Sequence, residues 1–98
     1  METREDILRL LAEKRNAIRQ FGVTEIGIFG SFARGEQNKR SDVDVLVELR
    51  DGSFDSYMNL LFFLEDLFGR KVDLVEKNTI KPIIRNRVLR EALYVQNF

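Results

Sequence analysis

Cysteine and histidine are both absent from this chain of 98 residues. Without cysteine, the chain can form no disulfide and can carry out no thiolate chemistry. The lack of histidine removes the usual general base, and together the two absences remove the usual zinc ligands. Any metal ion must therefore be bound through oxygen, and aspartate is then the natural ligand for magnesium.

Net charge is also missing, because sixteen Lys and Arg residues balance sixteen Asp and Glu residues. This balance gives no global argument for a nucleic-acid or membrane partner. No apolar run approaches the roughly 20 residues that a bilayer-spanning helix needs. The first ten residues, METREDILRL, lack the apolar segment of a signal peptide. We therefore expect a cytoplasmic protein.

What the chain does contain is apolar bulk, since 44% of its residues are hydrophobic and eight are phenylalanine. The length fits one domain over residues 1–98, which would bury roughly two-thirds of its unfolded surface. The charge is uneven, because residues 70–98 hold seven basic and three acidic side chains. A solvated helix face is the simpler explanation, and contact with an anion is the alternative.

The pattern of apolar residues predicts alternating helices and strands. A first helix is expected over residues 3–20, with Thr3 and Asp6 at its start and Gly22 after its end. Two more helices are predicted, over residues 56–68 and from Pro82 onward. In the last helix, the residues expected to face the core are Ile84, Val88 and Leu89.

Three strands are predicted, over residues 25–29, 43–49 and 71–75, and residues 92–95 form either a fourth strand or an extension of the last helix. In the second strand, three valines alternate with Asp44, Leu46 and Glu48, so the two sets point to opposite faces. Gly27, inside the first strand, indicates that another backbone or a helix approaches closely.

The predicted helix between Met58 and Phe68 is apolar around more than one stripe. Such a helix is either buried on most sides or part of an interface with a partner or a second copy. The sequence leaves both alternatives open.

Three aspartates are the candidate metal ligands. Asp42 and Asp44 are two residues apart on a strand, so their side chains share one face and repel each other unless a cation lies between them. Paired magnesium ions suit nucleotidyl transfer because they stabilise the attacking and the leaving oxygen. If the third strand lies beside the second, Asp73 completes a cluster that could bind metal and orient or deprotonate an attacking hydroxyl.

A phosphate-binding turn is predicted at Gly30 and Ser31, after the first strand. Glycine lets the backbone approach a phosphate closely, and N–H groups of a following helical turn can bind anionic oxygen. The Ser31 hydroxyl adds a donor, while Arg34 and Arg40 could neutralise phosphate charge.

Each of these features also has a purely structural explanation. The glycine and serine could form an ordinary turn, Asp42 and Asp44 could cap a solvated strand edge, and Asp73 could pair with an arginine. Each explanation is the simpler one for its feature alone. The features in this order, on these predicted strands, favour a site.

The spacing of Gly30-Ser31, ten residues and Asp42-Val43-Asp44 resembles the signature of the DNA polymerase beta-like nucleotidyltransferase superfamily. The longer string GSFARGEQNKRSDVDVLVEL, followed by KVDLV, resembles the minimal nucleotidyltransferases, the MntA-like antitoxins. The resemblance implies an α+β fold, with helices packed against a mixed, mostly antiparallel sheet. It also implies ATP as substrate and two Mg²⁺ ions as cofactors.

The resemblance further assigns roles to residues. Its metal-binding and catalytic carboxylates match Asp42, Asp44 and Asp73. Its triphosphate-binding turn matches Gly30 and Ser31, and Arg34 matches an arginine common in the minimal proteins. The substrate-recognition domain of larger relatives is absent, which implies that a separate protein supplies the acceptor. The implied reaction transfers AMP from ATP to a tyrosine of a cognate HEPN ribonuclease toxin.

Two other functions are compatible with the sequence. The chain could neutralise its toxin by stoichiometric binding through the helix between Met58 and Phe68, without catalysis. It could also transfer a nucleotide to a small molecule or RNA, for which the basic stretch of residues 77–90 is the only argument. So small a domain offers little surface for RNA, and we do not expect a nucleic-acid partner.

Overall fold

A four-stranded mixed sheet lies at the centre of the structure, a computed structural model that describes residues 3–98. The strands are β1 (Val23–Phe29), β2 (Val43–Leu49), β3 (Val72–Glu76) and β4 (Leu93–Tyr94). The helices are α1 (Arg4–Glu13), α2 (Arg15–Arg19), α3 (Gly30–Arg34), α4 (Phe54–Phe68) and α5 (Pro82–Glu91), and a 3₁₀ turn spans Lys77–Thr79.

The strand order is β3-β2-β1-β4. β1 runs antiparallel to β2 and β4, whereas β2 and β3 are parallel and are joined by the crossover helix α4. The prediction of a mixed, mostly antiparallel sheet with helices packed against it is therefore confirmed.

The main core lies on one face of the sheet. There Val43, Val45 and Val47 are buried beneath α1, α2 and α4. On the opposite face, Leu46 forms a smaller cluster with Ile80 and Val88. The alternation predicted for the second strand is thus confirmed, and it gives each sheet face its own covering helices.

The prediction of one helix over residues 3–20 is wrong in one respect. The Thr3 cap forms as expected, because Thr3 and Asp6 exchange side chain to backbone hydrogen bonds at 3.2 Å. The helix breaks at Lys14, however, where φ is −100° and ψ is 15°. No glycine or proline marks the break, and Arg15 Nε supplies a donor to the Ala12 carbonyl at 3.0 Å.

The last helix starts at Pro82 as predicted, but its core-facing side differs. Val88 is 5% exposed and Leu89 is half-buried, whereas Ile84 is 41% exposed. Ile84 was expected in the core and instead lines a surface cavity described below. The chain then leaves the helix at Ala92 and pairs with β1, so residues 92–95 contain a short strand.

Helix α4 leaves one stripe of its surface exposed, which includes Phe54, Asn59, Phe62 and Asp66. Its fully buried leucines, Leu60 and Leu64, are one turn apart, and Phe62 between them is 58% exposed. Apart from Asp55, the other residues of the helix are buried or partly buried, so the alternative of a helix buried on most sides is confirmed. The helix begins at Phe54, two residues earlier than predicted, because the Ser53 side chain accepts a hydrogen bond from the Ser56 backbone N–H at 3.2 Å.

Within residues 3–98, no helix combines the length and the apolarity that crossing a membrane would require.

Gly27 lies where β1 meets β4. A Cβ atom at this position would stand 2.7 Å from the Leu93 carbonyl oxygen and 3.0 Å from Tyr94 Cδ1. The close approach predicted from the sequence is therefore confirmed, and it comes from the short last strand.

We expect Gly27→Ala to lower the free energy of unfolding by about 1–3 kcal/mol, because the added methyl must displace the β4 backbone. Urea unfolding followed by circular dichroism measures this change. Gly52→Ala is the matched control, since nothing lies within 4 Å of a Cβ at that position. Equal unfolding midpoints for the two variants would contradict the prediction.

Candidate active site

Three strand ends meet at one edge of the sheet. Phe29, the last residue of β1, pairs with Asp44 of β2, and Asp44 pairs with Asp73 of β3. The antiparallel pairing brings the end of β1 to the start of β2, while the parallel pairing brings the starts of β2 and β3 together. The turn after Phe29 and both aspartates therefore lie in one row across the sheet.

This row borders a cavity of about 430 Å³. All six residues predicted for the site line it: Gly30, Ser31, Arg34, Asp42, Asp44 and Asp73. Helix α5 closes the other side with Ile84, Arg87, Val88 and Glu91. The structure thus brings the predicted residues together, whereas their chemical roles remain predictions.

Gly30 is held against Asp44. Its φ of +71° favours glycine, and a Cβ on this residue would lie 1.9 Å from Asp44 Oδ2. Any larger residue would have to move the carboxylate. Helix α3 begins directly at Gly30 and has no side-chain cap, so its first N–H groups are available to an anion.

Asp44 has a raised pKa. The pKa of its carboxyl group is raised from 3.8 to about 6, mainly by burial and then by the nearby carboxylates of Asp73 and Asp42. Arg34 acts in the opposite direction and is weaker. Negative charge is therefore concentrated in a half-buried place, which a bound cation would stabilise.

The donor chemistry of this edge fits magnesium. The strand residues that line the cavity with polar side chains are the carboxylates Asp44 and Asp73, with Asp42 just before β2, and magnesium prefers oxygen ligands. In residues 3–98, no three acidic side chains stand together as a ready set of metal ligands. Magnesium usually keeps several waters and needs only one or two carboxylates beside substrate phosphates, so the in-register pair Asp44 and Asp73 is sufficient for the fit.

Arg34 lines the cavity but is engaged in ion pairs. Its guanidinium donates to Glu36 and to Glu91, both at 2.7 Å, and these hydrogen bonds raise the pKa of Arg34. Arg40 was also considered for phosphate charge, but the structure does not place it on the cavity. It lies in the preceding loop, where its backbone N–H donates to Asn38 at 2.8 Å.

Two charged residues of α5 were missed by the sequence reasoning. Arg87 and Glu91 line the cavity, with Arg87 Nε 3.8 Å from a Glu91 carboxylate oxygen. The stretch was interpreted as a solvated basic face. Glu91 is the one acidic residue in Pro82–Glu91, and its spacing of four from Arg87 was the signal that could have identified the pair.

Arg70 was also missed, and it orders the loop that leads to Asp42. Its guanidinium lies 5.2 Å from the centre of the Phe32 ring and donates to three loop carbonyls at 3.0–3.4 Å. Those carbonyls belong to Asn38, Lys39 and Ser41. The loop between the glycine turn and the aspartates is thus tied to the residue that follows α4.

We expect Asp44→Asn to stabilise the metal-free fold at pH 8. The folded pKa lies above the unfolded one, so the ionised carboxylate destabilises the fold above about pH 6, and this cost disappears as pH falls toward 4. The rise from 3.8 to about 6 sets an upper bound of about 3 kcal/mol. Allowing for solvent screening, we expect a gain of about 1–2 kcal/mol.

Urea unfolding in EDTA at pH 8 and pH 4.5 measures this gain. Asp66→Asn, on the exposed side of α4, controls for the substitution itself. A gain of the same size at both pH values would show that the charge of Asp44 is not its cause.

The chain is similar to known proteins over most of its length. The family model described as a nucleotidyltransferase domain matches residues 9–95. The protein adenylyltransferase MntA of Thermococcus cleftensis is 44% identical over 97 residues, which cover 97% of this chain and 98% of the relative.

Two solved structures have the same fold. A chain in a crystal structure of a toxin-antitoxin with AMP-PNP is 21% identical, with a TM-score of 0.71 over 88% of this chain and 73% of that chain. A chain in the complex of a tri-AMPylated HEPN toxin of Shewanella oneidensis with an MNT antitoxin is 19% identical, with a TM-score of 0.66 over 93% and 73% of the two chains.

The family model matches residues 9–95 and so covers most of the chain. This chain therefore belongs to the nucleotidyltransferase domain family.

Proposed function

We propose that this chain is a magnesium-dependent protein adenylyltransferase and an antitoxin. It transfers AMP from ATP to a tyrosine hydroxyl of a cognate HEPN ribonuclease toxin. The observation that carries the proposal is the row of glycine turn, Asp44 and Asp73 on one cavity. The similarity to a relative named as a protein adenylyltransferase, at 44% identity, supports the same reaction.

In this proposal, the glycine turn binds the triphosphate and the aspartates bind the metal ions. Ser31 and the first N–H groups of α3 bind the triphosphate, since they face the cavity at the start of a helix. Asp42, Asp44 and Asp73 would hold two Mg²⁺ ions. When bound, these ions neutralise phosphate charge and stabilise the attacking and leaving oxygens.

Asp73 is the base in this proposal. It is exposed at the start of β3, so a hydroxyl from another molecule can reach it. Its carboxylate accepts the tyrosine proton while the tyrosine oxygen bonds to the α-phosphorus of ATP. The bond between the α-phosphorus and the bridging oxygen breaks, and pyrophosphate leaves.

Arg34 can bind the phosphates only if its guanidinium exchanges Glu36 and Glu91 for phosphate oxygens. Its two ion pairs, with Glu36 and Glu91, are on the exposed side of the cavity, where such pairs contribute little to stability. Triphosphate oxygens therefore compete effectively for the guanidinium.

The proposal that a HEPN toxin is the partner rests on the compared complexes. One contains AMP-PNP, and in another an MNT antitoxin accompanies a tri-AMPylated HEPN toxin. We extend that pairing to this chain, and we place the reaction in the cytoplasm, where ATP and magnesium are available.

A second function is favoured by one observation. Phe54 and Phe62 are exposed on the same helix, α4, at 75% and 58%. Such aromatic side chains suit a protein interface, either with the toxin or with a second copy of this chain. Stoichiometric neutralisation without catalysis is therefore the alternative to be tested.

We expect the double variant Asp42→Asn and Asp44→Asn to lose AMP transfer by at least about a thousandfold, since the reaction loses charge neutralisation at the phosphates. The assay combines the chain, ATP, Mg²⁺ and the cognate HEPN toxin of the proposal. Mass spectrometry of the toxin counts added AMP units, and EDTA should abolish the addition in the unaltered chain.

Circular dichroism and thermal unfolding verify that the double variant is folded. Full AMP transfer by this variant would sink the catalytic proposal. Neutralisation of an unmodified toxin at equal molar ratio, by both the unaltered chain and the variant, would establish the binding alternative instead.

A further inference from the structure

A second cavity adjoins the carboxylate cavity on the α5 face of the sheet. Its volume is about 650 Å³, and it shares four lining residues with the first cavity: Phe29, Asp73, Ile84 and Val88. Among the described residues, Asp73 is the one acidic residue that lines both. The glycine turn, Arg34, Asp42 and Asp44 line only the first.

The lining of this second cavity, hereafter the apolar groove, is dominated by hydrocarbon. Phe54 at its rim is 75% exposed and Ile84 is 41% exposed, so both present apolar surface to an incoming group. Tyr57 contributes its ring, because its hydroxyl already donates to the Leu74 carbonyl. Three charged residues also line this groove, Asp73, Glu76 and Lys81, and of these three Asp73 alone borders the first cavity. An apolar groove with the Asp73 carboxylate at that border matches a side chain with an apolar body and a hydroxyl tip.

We propose that the apolar groove binds the aromatic ring of the acceptor tyrosine and delivers its hydroxyl to Asp73. The inference rests on the proposed function, in which Asp73 takes the acceptor proton. Because the phosphates occupy the cavity beside the glycine turn, the acceptor must approach Asp73 from the other side. The apolar groove lies on that side.

The same chemistry gives specificity for tyrosine over serine or threonine. A tyrosine ring buries about 150–250 Å² of surface, whereas a serine would leave the apolar groove unfilled. The adenine base of ATP fits less well, because its ring nitrogens and amino group require several hydrogen-bond partners. The Thr79 hydroxyl, a polar group of this lining, already donates to the Glu76 carbonyl at 2.9 Å.

Binding can be tested without catalysis. The chain, with methyl-labelled isoleucine, is titrated with N-acetyl-L-tyrosinamide in EDTA and without ATP. We expect a saturable shift of the Ile80 methyl signal, because Ile80 lines the apolar groove and not the first cavity, and no shift at Ile7 or Ile18 in the main core. N-acetyl-L-serinamide should leave the Ile80 signal unchanged.

Phe54→Ala should weaken this binding at least about threefold, because it removes the exposed wall of the apolar groove. Phe62→Ala is the matched control, since Phe62 lies exposed on the same helix and lines neither cavity. The proposal is overturned if tyrosinamide gives no saturable shift, or if adenosine moves the Ile80 signal at lower concentration than tyrosinamide does.

Kinetics separate this inference from the proposed function. In AMP transfer to the HEPN toxin, Phe54→Ala should raise KM for the toxin about tenfold and leave KM for ATP unchanged. A rise in KM for ATP would assign the apolar groove to the nucleobase, and no change in either constant would equally overturn the proposal. If the unaltered chain transfers no AMP, the proposed function fails, and the tyrosinamide titration still decides what the apolar groove binds.

Discussion

The parallel pairing of β2 with β3 is the constraint on which the rest of the site depends. It places Asp73 directly beside Asp44, and the antiparallel pairing of β1 places Phe29, and hence the glycine turn, on the other side of Asp44. A slip of one residue in β2 would turn Asp44 into the main core and expose the valines that alternate with it. The same alternation therefore fixes the fold and keeps the carboxylates on the open face.

That register has an energetic consequence. Asp44 sits half-buried beside two other carboxylates, which raises its pKa to about 6, and Gly30 is pressed against it in a backbone conformation that favours glycine. Neither feature helps the metal-free chain to fold. The buried face of the same strand offsets the cost, since Val43, Val45 and Val47 are almost fully removed from water. One strand thus stabilises the fold with one face and holds the reactive groups with the other.

Sequence reasoning succeeded where the signal was local and periodic. The alternating valines predicted the bounds of β2, and the three predicted aspartates and the predicted glycine turn line one cavity. It failed where tertiary contacts decide the outcome. Nothing local marks the break at Lys14, and the position of Arg40 depends on how Arg70 ties down the loop from 32 residues away. The α5 residues on the cavity were missed because the phase of that helix is set by its packing on Leu46.

Helix α5 covers its face of the sheet only in part, and this partial cover bears on function. Helix α5 shields Leu46 and Ile80 but leaves Ile84 and the edge at Asp73 open. A nucleotidyltransferase that acts on a small substrate needs walls on all sides to exclude water and to orient that substrate. This chain has one charged cavity and one apolar groove that meet at Asp73, and both open to solvent. An acceptor protein can complete such a site by covering it, and its own surface then supplies the missing walls.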